Sequence, residues 1–181
     1  MKKLFPTLFF LFITFISNGQ ITKKTWHVGG AGSFSSIDYD FVTGSSQKIR
    51  EIDFNSNIGF FVIDKFSIGL KPGVNYRRAV LQYSQFSETF LKIGPFARYY
   101  FLSKEKTVNL LSEIAYQFTS SNKSADESRF SFQAGPVIYF NTAVGLEFLL
   151  GYSTSNYSDD GGTSSAVTVS IGFQFHLEKQ K

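Results

Sequence analysis

Segment 166–177 alternates throughout: Val167, Val169, Ile171, Phe173, Phe175 and Leu177 take every second place, with Thr168, Ser170, Gly172, Gln174 and His176 between them. A period of two sends the two sets to opposite faces of an extended strand, whereas a helix would scatter them around its axis. Segment 143–154 repeats the pattern with Val144, Leu146, Phe148, Leu150 and Tyr152 on one face, and only Leu149 departs from the polar set. In LKIGPFARYYF, residues 91–101, Leu91, Ile93, Pro95, Ala97, Tyr99 and Phe101 form an apolar face while Lys92 and Arg98 lie on the other. The same reading along the chain predicts eight strands at 25–37, 48–62, 66–84, 88–102, 107–118, 129–140, 143–154 and 166–177.

The connections alternate as well. Those at 63–65, 103–106 and 141–142 are short, whereas those at 38–47, 119–128 and 155–165 are long and rich in Ser, Asp and Gly; only 85–87 is a brief exception on the long side. An even number of strands, with tight turns at one end and longer loops at the other, predicts an all-β fold. Specifically, it predicts an eight-stranded antiparallel up-and-down transmembrane β-barrel of the bacterial outer membrane. A closed barrel leaves no strand edge in lipid, and closure is expected to pair the first strand near Trp26 to Phe34 antiparallel with the last near Val167 to Phe175. Alternation alone leaves a second barrel open, a soluble lipocalin-type one with the apolar set inside. Two features favour the membrane form. The polar face is dense in Gly, Ala, Ser and Asn, which suits a narrow interior, and aromatics gather near strand ends at Trp26, Tyr99, Phe101, Phe140, Tyr152 and Phe175.

The chain begins with Lys2-Lys3, an apolar run from Leu4 to Ile16, and Ser17-Asn18-Gly19, the layout of a secretory signal peptide over 1–19, with 20–181 as the barrel domain. The run is too short for the roughly 18 residues of a spanning helix. Export through the inner membrane to the cell outer membrane is the expected localisation. Without Lys2 and Lys3, 16 basic residues face 14 acidic ones, a net charge of +2, and the bases are scattered, so no nucleic-acid partner is implied. With no cysteine there is no lipid-modified cysteine anchor, disulfide or thiolate metal site. Of 32 aromatic residues, five Phe leave with the leader and 27 remain, more than one soluble core readily hides. Pro72, Pro95 and Pro136 fall inside predicted strands, each beside a Gly, and are expected to mark β-bulges or local bends.

Residues 55–77, NSNIGFFVIDKFSIGLKPGVNYR, resemble the strand, tight turn, strand phrase of the small outer-membrane β-barrel proteins common in Bacteroidetes. LKIGPFARYYF with Glu113 and Tyr116, and residues 132–152, FQAGPVIYFNTAVGLEFLLGY, are similar to their later hairpins. The resemblance spans the mature chain and implies a porin-family-like barrel of the OmpA-like and OmpX-like kind. Its motifs describe architecture and carry no chemistry. The end departs from the pattern, since His176 to Lys181 follow Phe175 where such barrels finish on an aromatic.

Sites for chemistry are sparse. His27 and His176 lie on the polar parity of the first and last strands, so closure brings them near one another; a two-histidine metal site is the sharp reading and inward polar fillers the plain one. The long loops hold Asp38, Asp40, Asp126, Glu127, Asp159 and Asp160 without a histidine, so no enzyme, cofactor or metal is expected. SDDGGTSS, 158–165, lacks the spaced ligands of a calcium loop, and Gly29-Gly30-Ala31-Gly32 precedes no helix and is expected to serve close strand packing.

The inward parity carries Glu51, Asp53, Glu113 and Glu147 with Lys71, Arg77, Lys92 and Arg98, four acids and four bases. Charges in a low-dielectric interior persist when paired. The expectation is an ion-pair network that plugs the lumen, with Arg77 opposite Glu51 and diagonal to Asp53, and Glu113 diagonal to Arg98. The function expected is a structural or surface-interaction role for a monomer. Its partners would be outer-membrane lipid and an extracellular protein or surface ligand at the loops. A narrow solute channel and a lipid-acting enzyme are the alternatives.

Overall fold

The computed structural model describes residues 21–40, 46–81, 84–103, 105–121, 126–158 and 162–177. The expected leader, Asp159, Asp160 and the chain end from 178 lie outside the described residues. Ten strand segments follow one another: β1 (Trp26–Asp40), β2 (Ser46–Ile63), β3 (Phe66–Leu70), β4 (Gly73–Leu81), β5 (Gln85–Ile93), β6 (Pro95–Tyr100), β7 (Val108–Ser121), β8 (Glu127–Tyr139), β9 (Val144–Tyr157) and β10 (Thr163–Leu177). β3 with β4, and β5 with β6, are two halves of one stave each, so the ten segments make eight staves. All neighbours are antiparallel, and β1 pairs with both β2 and β10, which closes the barrel.

The prolines interrupt the ladder without bulging it. Ile58↔Leu70 and Asn55↔Gly73 belong to one uninterrupted count on either side of Pro72, and Ser56 N still donates to Pro72 O at 2.8 Å. The same holds across Gly94-Pro95, where Ile93↔Phe118 and Phe96↔Ala115 keep one register, and across Pro136, between Ala134↔Leu150 and Val137↔Glu147. The expectation of bulges at these sites is therefore corrected: each proline lacks a donor but adds no residue to its strand. The register shift among these pairings falls between Phe61 and Ile63, beside the tight turn where Lys65 takes the left-handed conformation, φ 67°.

The apolar parity points outward. Val169 is 80% and Val167 71% exposed, and Phe34, Leu91, Leu150, Phe173 and the girdle aromatics Trp26, Phe101, Phe140 and Tyr152 are exposed with them. Leu146 is half-buried. This distribution is opposite to a soluble barrel, which would bury that set. Among the described residues no helix is long and apolar enough to cross a membrane.

Strands run beyond their expected ends on the long-loop side: β7 continues to Ser121, β9 to Tyr157, and β8 begins at Glu127. Cross-strand hydrogen bonds continue the hairpins there after the apolar face has ended. Closure is less extensive than expected. β1 pairs β10 from Trp26↔Leu177 to Gly30↔Phe173, whereas pairing had been expected as far as Phe34. Beyond that point β1 continues on β2 and β10 on β9, and both faces of 163–169 are exposed. The seam is thus paired at its short-turn end and unpaired above. Gly29 permits the close approach where the seam is paired, since a Cβ there would meet Phe173 O of β10 at 2.8 Å, while a Cβ on Gly30 would meet Asn55 O of β2 at 2.7 Å on the other side of the stave.

Candidate functional site

The lumen is layered. At the short-turn end, Ile21, Phe61, Tyr100, Leu111, Val137, Tyr139 and Leu149 pack as an apolar and aromatic cluster. Leu149, the residue that breaks the polar parity of β9, belongs to this cluster. Ile21 is held by its carbonyl, which accepts from Lys65 N at 3.0 Å, while Lys24 N donates to Phe61 O at 2.9 Å. His27 and His176 face each other across the seam with ring centroids 6.0 Å apart, both buried. His27 Nε2 contacts Ser67 Oγ at 2.9 Å. No group of three potential ligands that could hold a metal gathers among the described residues.

Above this floor lies a charged layer. Arg98, 0% exposed, directs Nε and Nη2 to Glu113 Oε2 at 2.9 and 2.7 Å and Nη1 to Glu147 Oε1 at 2.5 Å. Lys71 Nζ also donates to Glu113, and Gln133 Nε2 donates to Glu113 Oε1 at 2.6 Å. Tyr100 OH donates to Gln174 Oε1 at 2.7 Å, and Gln174 Nε2 to Tyr139 OH at 3.0 Å, which ties the charged layer to the floor. Two bases meet two acids here, so the layer has no net charge, and each carboxylate oxygen pair meets several donors. That condition is what allows buried ions to persist. Arg98 is directly opposite Glu113 in the register, where a diagonal relation had been expected.

The third layer lies toward the long connections. Glu51 is opposite Arg77 and their charged atoms are 3.6 Å apart; Lys92 Nζ donates to Asp53. Asn75 Nδ2 donates to Glu51 at 2.6 Å and Asp53 at 3.0 Å, joining the two pairs. Asn75 is directly opposite Asp53, Arg77 lies diagonal to it in the register, and Asp53 pairs with Lys92. The Arg77 guanidinium is 5.8 Å from the Phe90 ring centroid. Arg129 Nη2 is 2.8 Å from Glu127, and its Nε donates to Ser155 Oγ at 3.0 Å. A cavity of about 330 Å³ opens among Glu51, Arg77, Lys92, Glu127, Arg129 and Tyr157. A second, of about 480 Å³, reaches from Lys71, Arg129, Gln133 and Glu147 to Gly30–Gly32 of β1 and Thr168–Gly172 of β10.

The eight charged residues singled out from sequence thus form two groups at different heights, Lys71, Arg98, Glu113 and Glu147 below, and Glu51, Asp53, Arg77 and Lys92 above. Sequence reasoning missed Asn75, Gln133 and Gln174, whose inward parity was visible but whose neutral amides drew no attention. It missed the Glu127–Arg129 pair because the strand was expected to begin at 129. Nothing in the sequence marks Ile21 as part of the floor.

No protein-family model matches this chain, and no curated protein does. Among solved structures, it is similar to Neisserial surface protein A (NspA), with 15% identity and a TM-score of 0.42 over 83% of this chain and 94% of that one. It is also similar to the outer-membrane expressed OmpT of Vibrio cholerae, with 13% identity and a TM-score of 0.31 over 85% of this chain. The match covers 52% of that OmpT, so the chain spans about half its length.

Proposed function

We propose that the chain is an integral outer-membrane barrel, a monomer with a non-enzymatic structural or surface-interaction role, whose lumen is blind. The observation that carries this reading is the pairing of an exposed apolar exterior with an interior closed by Arg98, Glu113 and Glu147 above the Phe61, Tyr100 and Leu111 floor. An exterior of that composition is at home in hydrocarbon. An interior with several fully buried large side chains has no room for a water column. The resemblance of residues 55–77 to the Bacteroidetes barrels supports the location, and the expected leader supports export. Outer-membrane lipid is then the constant partner, with any extracellular protein or surface ligand meeting the barrel at its long-loop end.

Membrane fractionation and planar-bilayer recording test this reading. The protein is expected in the outer-membrane fraction and electrically silent. Recovery as a soluble protein, or steady unitary conductance from the unaltered chain, would overturn it, the latter in favour of the narrow channel.

A further inference from the structure

We infer that the unpaired upper seam between β1 and β10 is a lateral portal through which a membrane amphiphile with a phosphate-bearing headgroup places that headgroup in the lumen. This deepens the outer-membrane reading and rests on it.

The seam is the starting observation. Above Gly30↔Phe173 the two edges are no longer paired, although β1 extends to Asp40 and β10 back to Thr163; Gly172 still lies against Gly30 and Ala31. In hydrocarbon each unsatisfied backbone N–H or C=O costs several kcal/mol in the usual estimates, so a bare edge at membrane depth is tolerated only against water, protein or another polar partner. The exposed Val167, Val169 and Ile171 on the outer face of β10 place this edge at the apolar exterior.

The larger cavity supplies the second observation, because it does not end at the wall. It runs from the two seam edges inward to Lys71, Gln133 and Arg129. Its mouth is therefore apolar outside and its far end polar, with Lys71 and Arg129 against the one acid Glu147 and amides around them, the polarity of an amphiphile entering head first. About 480 Å³ lies within the range of small-ligand sites. The floor described above keeps the headgroup from passing through.

Residue chemistry selects the headgroup. Glu113 and Glu147 are committed to Arg98, and Glu113 also to Lys71. Arg129 lines both cavities with its side chain 37% exposed; its Nε and Nη2 already hold Glu127, so an entering phosphate takes the donors of the guanidinium that this pair leaves over. A guanidinium offers paired donors matched to phosphate oxygens. Seam N–H groups beside the entering chain are further donors to phosphate or ester oxygens. An extended strand from a partner or a second copy could also cover the edges. It would leave the polar inner cavity without an occupant, which is why the amphiphile is favoured.

The test is native mass spectrometry of the full-length protein, reconstituted in vesicles of phosphatidylglycerol and diacylglycerol and released in mild detergent. One retained phosphatidylglycerol per monomer is expected, with diacylglycerol retained at least about tenfold less because it lacks the phosphate. Thr168→Trp, which fills the portal, and Arg129→Gln, which removes the fork, should each lower retention by about tenfold, while Arg129→Lys retains an intermediate amount. Val167→Trp, on the outer face of the same strand, should leave it unchanged. Equal retention of the two lipids overturns the inference, as does retention unaffected by Thr168→Trp and Arg129→Gln together, or a dimer without bound lipid. Bilayer recording of the same samples separates the readings: silence without lipid retention sinks only the portal, whereas open conductance sinks the blind lumen itself.

Discussion

Arg98 on β6 reaches across the lumen to Glu147 on β9, Nη1 to Oε1 2.5 Å, while its Nε and Nη2 hold Glu113 on the adjacent stave. One guanidinium thereby links three staves, and its removal leaves Glu147 without its cationic partner and Glu113 with only Lys71 and Gln133. Arg98→Ala should destabilise the barrel by about 3–5 kcal/mol, the cost of breaking a buried ion pair on one side. Urea unfolding in lipid vesicles measures this, and planar-bilayer recording should show leak currents absent from the parent. Lys48→Ala, which breaks the exposed Lys48–Asp38 pair at 3.3 Å, should change stability by less than about 0.5 kcal/mol in the same assay.

Val169 and Leu150 are cross-strand neighbours on the outer face. With that face in lipid, Leu150→Arg should cost about 2–4 kcal/mol near the bilayer midplane, whereas a polar substitution at inward Ser153 should cost little. Equal tolerance at both positions in vesicle unfolding would contradict the lipid-facing assignment.

Gly59 leaves the space that His27 and Phe96 occupy: a Cβ there would meet Phe96 Cζ at 2.8 Å and lie closer still to the His27 ring. Gly59→Val should destabilise by about 1–3 kcal/mol through overpacking. Gly32→Ala, whose Cβ would find nothing nearer than 3.8 Å, is the control, and thermal unfolding in detergent compares the two.

Leu111 is fully buried in the floor beside Ile21 and Phe61. Leu111→Ala should cost about 2–5 kcal/mol by opening a cavity. If the charged layer alone blocks the lumen, this variant remains electrically silent; a leak would assign part of the seal to the floor.

The unpaired part of the seam has a signature of its own. Amides of β10 between 163 and 172 that face β1 should exchange with solvent faster than those of β7 and β8, which are paired on both sides. Hydrogen exchange on the reconstituted protein reads this directly, and uniform protection around the barrel would contradict a parted seam.

Local periodicity determined the staves, their order and the face each side chain takes, because alternation is a property of the strand itself and needs no distant contact. Segment 166–177 and the lone exception at Leu149 were legible in that way, and so was the inward set containing Arg98 and Glu113. The strand ends at Ser121 and Tyr157 were not, since hairpin hydrogen bonds extend beyond the residues whose hydrophobicity alternates. Pro72, Pro95 and Pro136 suggested bulges from chemistry alone, yet neighbouring staves held the register and each proline cost only its own donor. Which acid meets which base also depended on geometry around the ring: Glu147 reaches Arg98 from three staves away, a distance no sequence spacing encodes. The parted seam is the clearest case. Residues 26–40 and 163–177 each read as complete strands, but whether two edges meet along their whole length depends on how six intervening staves curve the wall, and that is settled only when the barrel closes.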